Sequence, residues 1–214
     1  MTDRLLSMIG ERFPLSPIDA GDLSTLKASG MKFEVSAFRA EGLGHVSVMR
    51  AKGFFGLMKM DTLMIVPEDV DLPLYSYDRI YAMGNDTLIV ELYDTMTEPA
   101  ALTPLGAVKE KFSHLSERDP GEHWYDGIKL PESISKKGKK KATPELDELT
   151  LEHFAAYLNS PVAPVSDKEK KAELSRGYVL GLLEHGGPST DVFKKTLGEE
   201  KTERLFRHVL FGIG

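Results

Sequence analysis

The stretch "EDVDLPLYSYDRIYAMGNDTLIVELYDT", residues 68–95, decides the architecture. Two runs rich in Tyr, Ile, Leu and Val flank "MGND" at 83–86, whose composition is that of a tight hairpin turn. In the first run Tyr75, Tyr77, Arg79 and Tyr81 alternate with Ser76, Asp78, Ile80 and Ala82, so the two sets fall on opposite faces of a strand. Strands joined by a short turn are antiparallel, and the hairpin therefore predicts an antiparallel sheet. It also sets an ionisable Asp78 among small and apolar neighbours.

The same period extends upstream. "MKFEVSAFRA" (31–40) alternates Phe33, Val35 and Ala37 against Lys32, Glu34 and Ser36, and "GHVSVMRA" (44–51) follows a Gly-x-Gly turn at 42–44. "KGFF" at 52–55 turns the chain into "GLMKMDTLMIV" (56–66), apolar on both faces in its second half and therefore central. Ahead of these, "TDRLLSMIGER" (2–12) has helical spacing, and "FPLSPIDAGD" (13–22) interrupts it with two prolines and a glycine. Beyond residue 100 the period becomes helical. "ALTPLGAVKEKFSHLSER" (101–118), "TPELDELTLEHFAAYLN" (143–159), "DKEKKAELSRGYVLGLLEHG" (167–186) and "PSTDVFKKTLGEEKTERLFRHVLF" (188–211) each predict a helix, and "HWYDGIKLPESISKKGKKK" (123–141) predicts irregular chain or a ragged edge strand. The third of these helices starts at Ser166 or Asp167 and stops at Gly186-Gly187; the fourth opens on Pro188. Strands first and helices after them give an α+β fold with helices covering an antiparallel sheet, as one domain over 1–214, strand-rich at 30–95 and helix-rich at 100–214.

Composition narrows the chemistry. The chain has 214 residues, a formal charge of −6 and no cysteine, which excludes disulfides, thiolate zinc, cysteine nucleophiles and iron–sulfur clusters held by this chain. The acidic balance argues against nucleic acid as a partner. No apolar run has membrane-spanning length and no secretory signal opens the chain, so a soluble cytoplasmic protein without a membrane partner is expected. Nucleotide-binding glycine motifs, H-E-x-x-H and G-x-S-x-G are absent, and the six histidines show no ligand spacing, so no metal is expected. One basic cluster, Lys136, Lys137, Lys139, Lys140 and Lys141, reads either as a solvated mobile loop or as a dock for an acidic partner.

Asp78 has two readings. It pairs with Arg79 or Arg50 near the start of its strand, or it is a buried acid whose raised pKa lets it hold a proton near neutrality. Met58, Met60, Thr62 and Met64 alternate onto one face of the preceding strand, either as plain core or as an adaptable lining for a large flat ligand.

"VPEDVDLPLYSYDRI" (66–80) resembles the region of the catalytic aspartate in the ferredoxin-dependent bilin reductases: an acidic connection, a D-x-P step at Asp71 and Pro73, then Asp78 on a central strand. "VELYDTMTEP" is similar to the family's next strand, ending in Asp94 and Pro99. In the closing segment Gly198, Glu199, Leu210 and Phe211 sit at matching places, and Val192 matches an apolar residue lining the bilin pocket. The resemblance covers roughly residues 30–214. It implies an α/β/α sandwich with a central antiparallel sheet, no bound flavin, metal or nicotinamide, and reduced ferredoxin as external donor of single electrons to a tetrapyrrole radical.

It also implies site residues. Asp78 would protonate biliverdin or a similar bilin, with Met60, Thr62, Met64, Ser76, Ile80 and Val192 around the macrocycle. Arg50, Lys52 and Lys137 are candidates for the propionates, and Lys136–Lys141 for ferredoxin. The phycocyanobilin-forming branch has a histidine at about Thr62, a glutamate near Met49 and an Asn or Asp at about Gly186. Their replacement here points to a simpler two-electron reduction, with His185 either a second acid or a helix-end residue. The alternatives are a bilin-binding protein that has lost reduction, and a reductase of the red chlorophyll catabolite type, which shares the fold.

Overall fold

A computed structural model describes residues 1–214, the side chain of Pro188 excepted. The strands are β1 (Leu15–Ile18), β2 (Thr25–Ala28), β3 (Met31–Ala40), β4 (Gly44–Gly53), β5 (Met58–Pro67), β6 (Leu74–Ala82), β7 (Asn85–Tyr93) and β8 (Ile134–Lys139). They form one antiparallel sheet in the order β1-β3-β4-β5-β6-β7-β8, with β2 pairing the other half of β3 beside β1. The 83–86 turn is as tight as its sequence implies: Ala82 pairs with Asn85, and Met83 (φ 51°) and Gly84 (φ 76°) supply the two left-handed residues of a two-residue loop. Gly44, at φ 146°, lets β4 start against β5, since a Cβ there would lie 2.2 Å from the Val66 carbonyl oxygen.

The helices are α1 (Thr2–Gly10), α2 (Thr103–Lys111), α3 (Thr143–Leu158), α4 (Lys168–His185), α5 (Pro188–Leu197) and α6 (Glu199–Arg204), which runs into a π-helical turn at Leu205–Leu210. Alternation sorts the sheet between them. Val46, Val48, Leu63, Ile65, Tyr75, Tyr77, Leu88 and Val90 pack with α1, α2 and α3. Tyr75 sits 5.3 Å from the Phe154 ring and 4.6 Å from that of Tyr157. The opposite face, with Phe33, Val35, Met49 and Met64, meets α4, α5 and the C-terminal turn through Tyr178, Leu182, Phe193 and Phe206. The architecture is the α/β/α sandwich.

Five segments depart from expectation, the first being the helix expected over 101–118, which ends at Lys111. "LSPI" forms edge strand β1, where Pro17 is tolerated because nothing pairs with its outer side. "TLKA" forms β2. The lysine cluster is no mobile loop but falls on the edge strand that is the other expectation for 123–141: Lys136, Lys137 and Lys139 pair with β7, Lys140 and Lys141 form the turn after it, and Lys136 is buried with its ammonium on the Leu115 carbonyl (3.1 Å) and Glu117 (2.5 Å). The last long helix is broken at Gly198, whose φ of 82° separates α5 from α6. At the start of α4 the Asp167 carboxylate accepts from the Lys170 amide at 2.9 Å, a standard N-cap.

Candidate active site

Strand register lays the floor of a cavity in rows. Met49, Thr62, Asp78 and Ile89 stand side by side on β4, β5, β6 and β7. Met64, Ser76 and Glu91 make the next row on one side, and Met60 with Ile80 the row on the other. Leu182, Val192 and Phe193 from α4 and α5, with Phe206 and Leu210 behind them, form the roof, and the enclosed volume is about 440 Å³. That lies within the roughly 300–1,000 Å³ usual for small-molecule sites.

Asp78 is the only floor residue of its row that ionises, and it lines the cavity. The Thr62 hydroxyl donates to it across the strand pair. Burial pushes its pKa up to about 6 from 3.8; the Thr62 hydrogen bond opposes this and the charge of Glu91 adds to it. An acid so placed exchanges a proton near neutral pH with whatever occupies the cavity. The suggested pairing with Arg79 or Arg50 does not form. Arg79 points to the other face of the sheet, where it binds Asp86 (Nη2–Oδ2 2.7 Å) and Asp147 (3.2 Å).

Of the residues singled out in sequence, Met60, Thr62, Met64, Ser76, Asp78, Ile80 and Val192 come together around this volume. Two do not. Arg50 follows Met49 on β4 and so faces away, bonding Thr2 (3.0 Å) and Asp3 beside α1. His185, considered as a second acid, ends α4 exposed to solvent, its ring 5.4 Å from that of Trp124. The chain turns at Gly186, and a Cβ there would come within 2.5 Å of an Asp191 carboxylate oxygen, so the acid suggested at this turn by resemblance has no room without rearrangement. Asp71 also lies outside. It accepts from Thr97 (amide 2.9 Å, hydroxyl 2.8 Å) and the Glu98 amide (3.0 Å), and pairs with Lys171 at 3.3 Å. Burial opposes its charge, but these bonds outweigh it and lower its pKa. Its part is to tie the β5–β6 connection to α4.

The cavity has polar groups that sequence reading missed. Glu91 accepts from the Tyr93 hydroxyl at 2.6 Å. Tyr93 stacks on Tyr178 (4.1 Å) and meets Tyr125 edge-on (5.4 Å), and burial raises the pKa of all three phenols. His123 lies flat on Tyr125 at 4.8 Å, and Arg118 stands at the β8 side. Glu91 had a signal: pairing Ala82 with Asn85 in the hairpin puts Ser76 opposite Glu91. Arg118, His123 and Tyr125 had none, because they come from non-repetitive chain between α2 and β8.

With this geometry in hand, comparison with known proteins places the architecture. The chain superposes on a solved structure of phytochromobilin synthase from tomato in complex with biliverdin, with a TM-score of 0.76 and 14% identity over 99% of this chain and 82% of that one. The two share a fold. No protein-family model matches the chain, and no curated protein matches it by sequence. In this chain the cavity between the sheet and α4–α6 is the volume around Asp78.

Proposed function

We propose that the protein binds an open-chain tetrapyrrole such as biliverdin in this cavity and reduces it by two electrons, with Asp78 as proton donor. The observation that carries the reading is Asp78 itself: a carboxyl raised to about 6 on the floor of an apolar, methionine-lined cavity, in a fold shared with a protein solved with biliverdin. Two electrons and two protons add to the conjugated ligand, exchanging one π bond for two bonds to hydrogen. The electrons arrive singly from reduced ferredoxin, the external donor that the resemblance implies; the chain has no cysteine to hold a cluster of its own. Asp78 gives one proton and is recharged from solvent. The flat ligand lies over Met60, Met64, Ser76 and Ile80, whose flexible or small side chains conform to it. Lys137, Lys139, Lys140 and Lys141, exposed along β8 and the turn after it, attract the acidic ferredoxin; Lys136 is buried and takes no part.

The test is an anaerobic absorbance series with biliverdin, before and after ferredoxin, its reductase and NADPH. A spectral change on mixing followed by conversion supports the proposal. A stable bound spectrum without conversion replaces it with a bilin-binding protein, and conversion of a chlorophyll catabolite but not biliverdin replaces the substrate.

A further inference from the structure

The β4–β5 and β6–β7 hairpins turn at the same end of the sheet, and their tips touch: the Met83 amide donates to the Leu57 carbonyl at 3.4 Å. Phe54, Phe55, Leu57 and Met83 on these tips are 54%, 108%, 68% and 87% exposed. Phe54 (φ 51°), Phe55 (φ 55°) and Met83 (φ 51°) adopt left-handed backbone, which bulky residues rarely do and for which Gly, Asn or Asp are the unstrained choices. Four large apolar side chains therefore project toward water, three of them from left-handed backbone that is strained to hold them there.

Just behind the tips lies a row of one charge. Register sets Lys27 opposite Lys32, Lys32 opposite Lys52 and Lys52 opposite Lys59, across four neighbouring strands. All four are exposed on the face away from the cavity. One row deeper the charges alternate, as Glu34, Arg50 and Asp61. Like charges directly opposite one another destabilise a sheet, and among the described residues only Lys32 of the four has an ion-pair partner, Glu34 at 2.8 Å. The row thus works against folding and suits an anionic surface.

We propose that this end of the sheet docks the protein on an anionic lipid membrane, the apolar tips entering the acyl boundary and the lysine row meeting the headgroup phosphates. At about 3.4 Å per residue the row trails the tips by roughly 5–10 Å, which is the depth reached by interfacial apolar groups. Projecting side chains this exposed need a matching hole in a protein partner, whereas lipid conforms to them, and the attraction of lysines to anionic headgroups needs no sequence-specific contact. The contact is peripheral, for no helix among the described residues is long and apolar enough to cross a membrane. Phe54 also lines the cavity, so docking brings the cavity wall to the lipid whatever the ligand.

Flotation of the full chain with phosphatidylcholine vesicles, and with vesicles that also contain phosphatidylglycerol, tests this. The wild type should float with the anionic vesicles only and release in high salt. Phe55→Asn with Leu57→Gln, and separately Lys27→Gln with Lys52→Gln and Lys59→Gln, should each lower the bound fraction roughly tenfold, with circular dichroism unchanged and the thermal midpoint equal to or above that of the wild type. Absence of wild-type flotation, or flotation that survives both sets of changes, overturns the proposal. So does lysine-dependent binding of polyglutamate without vesicle binding, which would assign the row to an acidic protein.

Discussion

The Thr62 hydroxyl donates a hydrogen bond to the Asp78 carboxylate across β5 and β6. Burial raises the pKa of Asp78, Glu91 raises it further, and this hydrogen bond is the influence that favours the charged form. The pair occupies the middle of the cavity floor, so its protonation is coupled both to folding and to whatever the cavity holds.

Native Asp78 titrates near 6 and unfolded Asp78 near 3.8, so between these values the native state binds more protons and stability falls as pH rises. Asp78→Asn removes that penalty. The variant should equal the wild type below about pH 4 and exceed it above about pH 6, by about 2–3 kcal/mol. Urea unfolding at both ends of the window measures the difference. An equal gain at both ends would mean that the carboxyl does not titrate as described.

Turnover of biliverdin should carry the same signature. A protonated donor makes the rate fall as pH rises through about 6. Thr62→Val takes away the bond that favours the carboxylate, and should move this limb to higher pH with little effect on binding. Asp78→Asn should bind biliverdin and lose roughly 10²–10⁴-fold in single-turnover rate. A pH profile unmoved by either change would assign the proton to another group.

How far the sequence reaches is set by period. Alternation alone places Met60, Thr62, Met64, Ser76, Asp78 and Ile80 on one face, and the 83–86 turn fixes which residues stand opposite one another. Tyr125 reaches the cavity by packing against Tyr178, His123 by stacking on Tyr125 and Arg118 by bonding Ser135 of β8, contacts that no local pattern encodes. The lysine cluster misleads for a related reason. Its composition is that of solvated chain, but pairing with β7 satisfies its backbone, and an inward Lys136 finds a carbonyl and a carboxylate. His185 misleads because a helix period says where a helix ends and not what its last side chain meets.

The Arg79–Asp86 pair should prove structural. Arg79 is wholly buried, and Asp86 also accepts from the Thr143 hydroxyl at 2.6 Å, joining the sheet to the start of α3. Asp86→Ala leaves the buried guanidinium with Asp147 alone (3.2 Å), at a cost of up to about 3–5 kcal/mol. Urea unfolding should register that loss, while the folded fraction still binds biliverdin because the pair faces away from the cavity. A loss of binding without a loss of stability would contradict the assignment.

Arg118 and Arg50 offer the sharpest contrast for ligand binding. The Arg118 amide donates to the Ser135 carbonyl at 2.9 Å, and Nη1 lies 3.4 Å from the Ser135 hydroxyl, which leaves most of the guanidinium free toward the cavity. Arg50 is engaged with Thr2 and Asp3 on the far side of the sheet. A propionate of a bound bilin can therefore reach the first and not the second. Loss of a charge-assisted hydrogen bond costs about 1.5–3 kcal/mol, so Arg118→Ala should raise the Kd for biliverdin roughly tenfold or more. Arg50→Ala should change it by less than about twofold, its pair being largely solvent-exposed. Absorbance titration of the two variants decides between them, and the reverse order would put the ligand's carboxylates on the face of the sheet that carries α1.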